Sequence, residues 1–307
     1  MATHTILGSK FIPRPKTKHL SKLNDTHKIS SIFVLGADCT EADVNEIIDY
    51  CSHNGLTAIK DDSNHIMVSG FAKDFNKMLQ IEIQLFLNGN AKPFHAPVDD
   101  IQIPQRWENK IVGILGLNTR PILRTYYKME TVQSRALTTF DPLQLATLYN
   151  FPTNLDGTGQ KIGIIELGGG YKLSDITTYF NHLGITATPN ITAVSVDGVP
   201  NNPSDTSGAN VEVILDIEVI AAIVPKAAIR VYFGLNSDAG FYNAINKAIQ
   251  DGCGIISISW GGPEAYWSSS TLTSYNNLFQ SASTKNITIL AAAGDSGSSD
   301  GASGKNV

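Results

Sequence analysis

Cysteine is scarce in this 307-residue chain: there are three, Cys39, Cys51 and Cys253. An odd count without metal-type spacing argues against a disulfide framework and a zinc site, and leaves buried structural thiols as the expectation. Long apolar runs are lacking too, since none approaches the roughly 20 residues that span a bilayer. There is no basic surplus: 23 Lys and Arg against 28 Asp and Glu give a net charge of -5, without the electrostatic footprint of a nucleic-acid binder. The first fifteen residues offer only Thr5-Ile-Leu7 before Gly8-Ser-Lys10, whereas a secretory signal needs a basic start, an apolar stretch and a small-residue cleavage site. From residue 134 onward the one histidine is His182. Its predicted helix turns Leu173, Ile176, Phe180 and Leu183 to the core and leaves His182 with Asp175 and Thr178 on the polar side. A serine-histidine-aspartate triad is thereby disfavoured, and acid-base chemistry in this half of the chain falls to carboxylates.

The length suggests about two domains. Residues 1–28 are polar, interrupted by Pro13 and Pro15, and read as a flexible leader. Residues 29–118 read as a compact α+β unit. A strand is predicted at 32–35, then a helix capped by Thr40-Glu-Ala-Asp43 that keeps Val44, Ile47, Ile48 and Cys51 on one face and ends at Gly55. Strands at 56–60 and 66–69 flank an Asp61-Asp-Ser-Asn64 turn, followed by a helix at 71–79 and a strand at 81–86. This β-α-β-β-α-β order is the ferredoxin-like plan. A last helical stretch is expected around Trp107, Ile111, Ile114 and Leu115, and residues 119–140, with Arg120, Pro121, Arg124 and Arg135, form a linker.

From residue 141 to 307 the pattern changes. Asp141-Pro-Leu-Gln-Leu-Ala-Thr-Leu-Tyr149 and Gly157-Thr-Gly-Gln160 open a domain in which apolar strand runs at 162–167, 191–196, 228–233, 255–259 and 287–292 alternate with helical stretches such as 241–251 and 272–284. Strands apolar on both faces and separated by helices imply a parallel sheet covered on both sides. Ligands of such sheets bind at the carboxyl ends of the strands, where Glu166, Trp260 and Asp295 all fall.

Glu212 and Asp216 lie four residues apart in an otherwise apolar run, which on a helix stacks them on one face. Two like charges at that spacing destabilise an isolated helix by about 0.2–0.5 kcal/mol. Alternation across Val211–Val219 also permits a strand; a helix is favoured because the run continues to Val224 and Pro225 stops it. On local pattern the acidic pair fits a structural role as well as a catalytic one. In Ser259-Trp-Gly-Gly-Pro-Glu264, Gly261 and Gly262 let an extended peptide approach the backbone and pair as an added strand, while Trp260 is equally explained by packing. Glu166 precedes Leu167-Gly-Gly-Gly-Tyr171, but Leu173 occupies the third glycine position of a phosphate-binding fingerprint. Asp295 lies in Gly294-Asp-Ser-Gly-Ser298, which also reads as a turn-capping aspartate or as a trypsin-like nucleophile at Ser296; the latter belongs to an all-β architecture with a histidine.

Three segments together, Glu212-Val-Ile-Leu-Asp216, Ser259-Trp-Gly-Gly-Pro-Glu264 and Ala291-Ala-Ala-Gly-Asp295-Ser-Gly-Ser-Ser-Asp-Gly301, resemble the sedolisin family, the serine-carboxyl peptidases, and within it the prokumamolisins. The Ser69-Gly70-Phe71 turn and Gly116-Leu-Asn-Thr-Arg120 are similar to the activation domain of that family. The resemblance implies an incomplete subtilisin-like α/β parallel sheet preceded by an α+β ferredoxin-like activation domain that acts as intramolecular inhibitor. It implies protein or peptide substrates and an extracellular location; neither nucleic-acid nor membrane partners are expected from the charge and the short apolar runs. By motif match Glu212 is the general base, Asp216 its partner and Asp295 the oxyanion-hole donor; Glu166, at its strand end, reads equally as a support for that pair or as a buried structural carboxylate, Trp260 is expected to support the site, and Ser259, Trp260, Gly261 and Gly262 are expected to bind substrate. Paired carboxylates and a donor that must be protonated both call for acid. The family's nucleophilic serine is expected beyond Val307, so the chain as given is expected to be inactive; calcium is expected from the family, with ligands outside this chain. An inactive binding or inhibitory protein that retains the activation domain stays open beside the acid endopeptidase, and a nucleotide-binding α/β protein is the weaker alternative.

Overall fold

The computed structural model describes residues 2–13, 16–60, 64–89, 92–121, 123–125 and 140–300. Arg135, most of the turn expected at 61–64 and the segment 301–307 lie outside the described residues. The chain divides into two compact units, the first comprising 1–122 with 236–242 and 266–280, the second 123–235, 243–265 and 281–307.

In the first unit, β1 (Thr3–Ile6), β2 (Thr17–Lys22), β3 (Lys28–Leu35), α1 (Glu41–His53), β4 (Thr57–Lys60), β5 (His65–Phe71), α2 (Ala72–Leu79), β6 (Ile83–Asn88), β7 (Phe94–Pro97), β8 (Ile101–Pro104) and β9 (Ile111–Leu115) follow one another. The start of α1 follows from its sequence: the Thr40 side chain accepts the Asp43 N–H while the Asp43 carboxylate accepts the Thr40 N–H, satisfying two amides that the helix leaves open. Val44, Ile47 and Cys51 are buried along one face. An antiparallel sheet runs in the order β4-β5-β3-β9, which is the ferredoxin-like arrangement with α1 and α2 as its crossovers.

Three expectations are corrected here. The fourth strand of that sheet is β9, not the run at 81–86, which forms β6 and joins β2 and β7 in a separate sheet. The helical stretch expected through 107–115 is a short 3-10 turn at Gln105–Trp107 followed by β9; its apolar spacing suits either period, and the ladder to β3 decides. The described residues of the stretch read as a flexible leader, 2–13 and 16–28, are built into the fold, because β1 pairs with β8, β2 pairs with β6, and Ile6, Phe11 and Leu23 are buried. Isolated apolar residues among polar ones carry no periodic signal, and their partners lie some 60 to 100 residues away in sequence.

At the end of β9 the backbone meets two buried titratable groups. Gly116 has φ +90, and a Cβ there would stand 2.6 Å from the Ser30 carbonyl oxygen. Its N–H donates to Asp238 Oδ1 at 3.0 Å, which also accepts the Ala239 N–H at 2.7 Å. The Tyr275 hydroxyl donates to the Asp238 carbonyl at 2.6 Å. His95, on β7, is buried, exchanges backbone and side-chain bonds with Thr119, stands edge-on to His27 at 5.4 Å and leaves Nε2 without a hydrogen-bond partner.

The rest of the chain supplies β10 (Arg124–Thr125), α3 (Pro142–Leu148), β11 (Lys161–Glu166), α4 (Leu173–His182), β12 (Ile191–Ser195), α5 (Ala209–Ile223), β13 (Ala228–Phe233), α6 (Asp238–Gln250), β14 (Ile255–Ile258), β15 (Trp260–Gly261), α7 (Ser269–Thr284) and β16 (Thr288–Ala291). The second unit is built on a five-stranded parallel sheet, β12-β13-β11-β14-β16. Its central strand β11 is buried over five consecutive residues, as a sheet covered on both faces requires. On one face Ile164, Val231 and Phe233 pack with Ile176 and Phe180 of α4 and with Val213, Ile217 and Ala221 of α5. The ambiguous 211–224 run is thus a helix: its buried residues recur at helical spacing while Val211, Leu215 and Val219 lie exposed on the opposite side.

Candidate active site

The carboxyl ends of these strands gather the predicted residues. Glu166 closes β11 and is fully buried; Ser259 and Trp260 follow β14, the next strand over. Across from them α5 presents Glu212 in its first turn, where the helix dipole favours an anion, and Asp216 one turn later. The Trp260 indole N–H donates to Glu166 Oε2 at 2.8 Å, and the Ser259 hydroxyl donates to Asp216 Oδ1 at 2.9 Å. Glu212 is 3% exposed.

Three carboxylates are therefore held together out of water. Burial drives the Glu166 carboxyl well above its ordinary range, the Asp216 charge adds to this, the Trp260 bond opposes it, and the Glu212 charge raises it further. Burial likewise pushes Asp216 up to about 6 against the opposing Ser259 bond. Buried carboxylates that repel one another cannot all ionise, so the cluster retains at least one proton at mildly acidic pH. Such a set can accept a proton and return it, which is the work of a general base that later acts as acid.

Asp295 lies beyond β16, at the same edge of the sheet but exposed, ahead of a short 3-10 turn at Gly297–Ser299. Ser259, read from sequence as a substrate-binding residue, has its hydroxyl tied to Asp216. Gly261 pairs as a strand, though with a segment of this same chain: β10 runs antiparallel to β15, with Arg124 opposite Gly261 and Thr125 opposite Trp260. Sequence reasoning gave no role to Asp300, although it lies in the 291–301 motif; its backbone oxygen and carboxylate both accept from Arg124. His182 is exposed, as expected from its helix face. Cys51 and Cys253 are buried free thiols, while Cys39 is only partly buried.

The glycine run after Glu166 has a packing explanation. A Cβ on Gly169, at φ +72, would stand 2.7 Å from the Ala209 backbone, and one on Gly170 would stand 2.4 Å from that of Asn202. Gly169 lets the chain approach the start of α5, which carries Glu212, and Gly170 lets it approach the loop at Asn202. Among the described residues no group of three or more His, Cys, Asp or Glu side chains is arranged to hold a metal ion. No helix among them is long and apolar enough to cross a membrane.

Residues 37–120 match the family model described as the pro-kumamolisin activation domain. Kumamolisin from Bacillus sp. (strain MN-32) is 40% identical over 277 residues, covering 84% of this chain and 49% of that protein. Tripeptidyl-peptidase sed5 from Aspergillus fumigatus is 25% identical over 218 residues, covering 65% of this chain and 37% of that protein. Among solved structures, a Pseudomonas sedolisin described as a serine-carboxyl proteinase, complexed with pseudo-iodotyrostatin, aligns over 52% of this chain and 45% of its own with a TM-score of 0.47 and 22% identity. The chain spans half or less of the length of these curated relatives.

Proposed function

For a chain of the sedolisin family that carries a pro-kumamolisin activation domain, we propose the role of a zymogen of an acid-acting serine-carboxyl endopeptidase, secreted and directed at protein or peptide substrates. The observation that carries this reading is the buried cluster of Glu166, Glu212 and Asp216, with Trp260 and Ser259 donating into it. Glu212 acts as the general base that takes the proton of an attacking serine hydroxyl and later delivers it to the leaving amine. Asp216 orients Glu212, and its raised affinity for a proton keeps one available in acid. Asp295, protonated, donates to the oxyanion of the tetrahedral intermediate. The nucleophilic serine comes from outside these residues, and the activation domain at 29–118 acts as the inhibitor until the linker is cut.

The exposed edge strand β16, with Leu290 56% exposed and pairing only to β14 among the described residues, supports a sheet that continues in the whole peptidase. The test is peptide hydrolysis at about pH 4, a pH set by the carboxylate chemistry, by the 307-residue chain and by the same chain continued through the next Gly-Thr-Ser motif of its gene. The first is expected to be silent and the second active. In the active form Glu212→Gln abolishes turnover, Asp295→Asn retains part of it and extends it toward neutral pH, and Asp295→Ala loses about 2.7–4 kcal/mol of transition-state stabilisation. Wild-type rates for Glu212→Gln would place the reacting carbonyl elsewhere.

A further inference from the structure

We propose that Asp300 is a specificity-determining residue that receives an arginine side chain from an extended peptide laid along Trp260–Gly261. The inference rests on the peptidase reading above and names a feature of its substrates. The structure already holds such a ligand in cis. Arg124 and Thr125 lie as an antiparallel strand on Gly261 and Trp260, the edge that the glycines leave open to a peptide backbone. In that register the Arg124 side chain reaches Asp300: Nη2 donates to the Asp300 carbonyl oxygen at 2.5 Å, to Asp300 Oδ1 at 3.1 Å and to Ser296 Oγ at 3.4 Å.

The acid is the built member of this pair and the arginine the visitor. The Asp300 side chain is 12% exposed against 48% for Arg124. Asp300 sits at φ +41, in the left-handed region, where it ends the Gly297–Ser299 turn. Aspartate and asparagine tolerate that conformation better than most residues, and it turns the main-chain carbonyl and the carboxylate toward one point. A carbonyl, a carboxylate and a hydroxyl converging there suit the planar, multi-donor guanidinium better than the single point charge of lysine. The preferred substrates therefore carry arginine at the position opposite Gly261, lysine ranking below it and neutral side chains lowest.

An exposed ion pair by itself contributes little, so the decisive measurement compares side chains on one backbone. Arg124→Pro in the 307-residue chain removes the guanidinium and, by taking away a backbone N–H, loosens β10 from Gly261, and fluorescence anisotropy then reports binding of two labelled hexapeptides that differ only in arginine or norleucine at one position. The arginine peptide is expected to bind about tenfold more tightly, as charge-assisted hydrogen bonding implies. Adding Asp300→Asn, which keeps the shape and the left-handed backbone, removes that preference and leaves norleucine binding unchanged. A preference that survives Asp300→Asn, equal binding of the two peptides, or binding of neither overturns the assignment. The peptidase reading falls separately, on Glu212→Gln turnover, so the two failures are distinguishable.

Discussion

His95→Gln should flatten the acid sensitivity of the first unit. His95 is buried on β7, and burial holds its imidazole down at about 4, with the nearby His27 charge adding to the effect and a hydrogen bond to the Gly116 backbone opposing it. An unfolded histidine titrates near 6.5. The folded unit thus favours the neutral ring, and its stability is intact above pH 6.5, falls as pH drops from 6.5 toward 4, and levels off below that. The gap between 6.5 and 4, at about 1.36 kcal/mol per pH unit, corresponds to a loss of about 3 kcal/mol. The Gly116 bond offsets only part of the cost of the charge once acquired, because Nε2 has no partner and the nearest ring is another histidine. Glutamine retains hydrogen-bonding capacity and does not titrate. Urea unfolding followed by fluorescence, with Trp107 fully buried in this unit as the reporter, gives stability at each pH for wild type and variant. The difference between them isolates His95 from every carboxylate titrating in the same window and should amount to uptake of about one proton. Parallel pH profiles for the two proteins would show that His95 is not buried as neutral imidazole.

Asp238 predicts the opposite sign on the other side of Gly116. Burial raises its carboxyl to about 6 despite hydrogen bonds from the Gly116 and Ala239 amides and the Arg120 charge, so the folded state gains stability as pH falls from 6 to the ordinary value near 3.8. Asp238→Asn, which still accepts both amides, should stabilise the unit by up to about 3 kcal/mol at pH 7 and by little at pH 4; destabilisation at pH 7 would refute this, read in the same urea titrations. Trp260→Phe withdraws the indole N–H from buried Glu166 and should destabilise the second unit by about 1–3 kcal/mol at pH 8, where the carboxyl group is driven to ionise, and by less at pH 4. Equal losses at both pH values would mean that the bond serves packing and not the charge.

The sequence by itself determined the elements whose information is local. The Thr40–Asp43 capping box set the start of α1, runs of Ile and Val set the buried parallel strands, and the four-residue spacing of Glu212 and Asp216 set their common helix face once Pro225 had limited the helix. Motif resemblance supplied the candidate site residues, and strand ends in a parallel sheet explain why Glu166 and Trp260 meet. Tertiary structure alone decided what depends on long-range pairing. Whether 107–115 was helix or strand turned on the ladder to β3, because short apolar runs fit both periods. Whether 3–6 and 17–22 formed strands turned on β8 and β6, whose complementary edges leave no local trace. Ser259 as the donor to Asp216, and Asp300 as the acceptor of Arg124, arise from contacts across 43 and 176 residues of sequence. A polar side chain reveals its partner only when the fold has removed the water that would otherwise take its place.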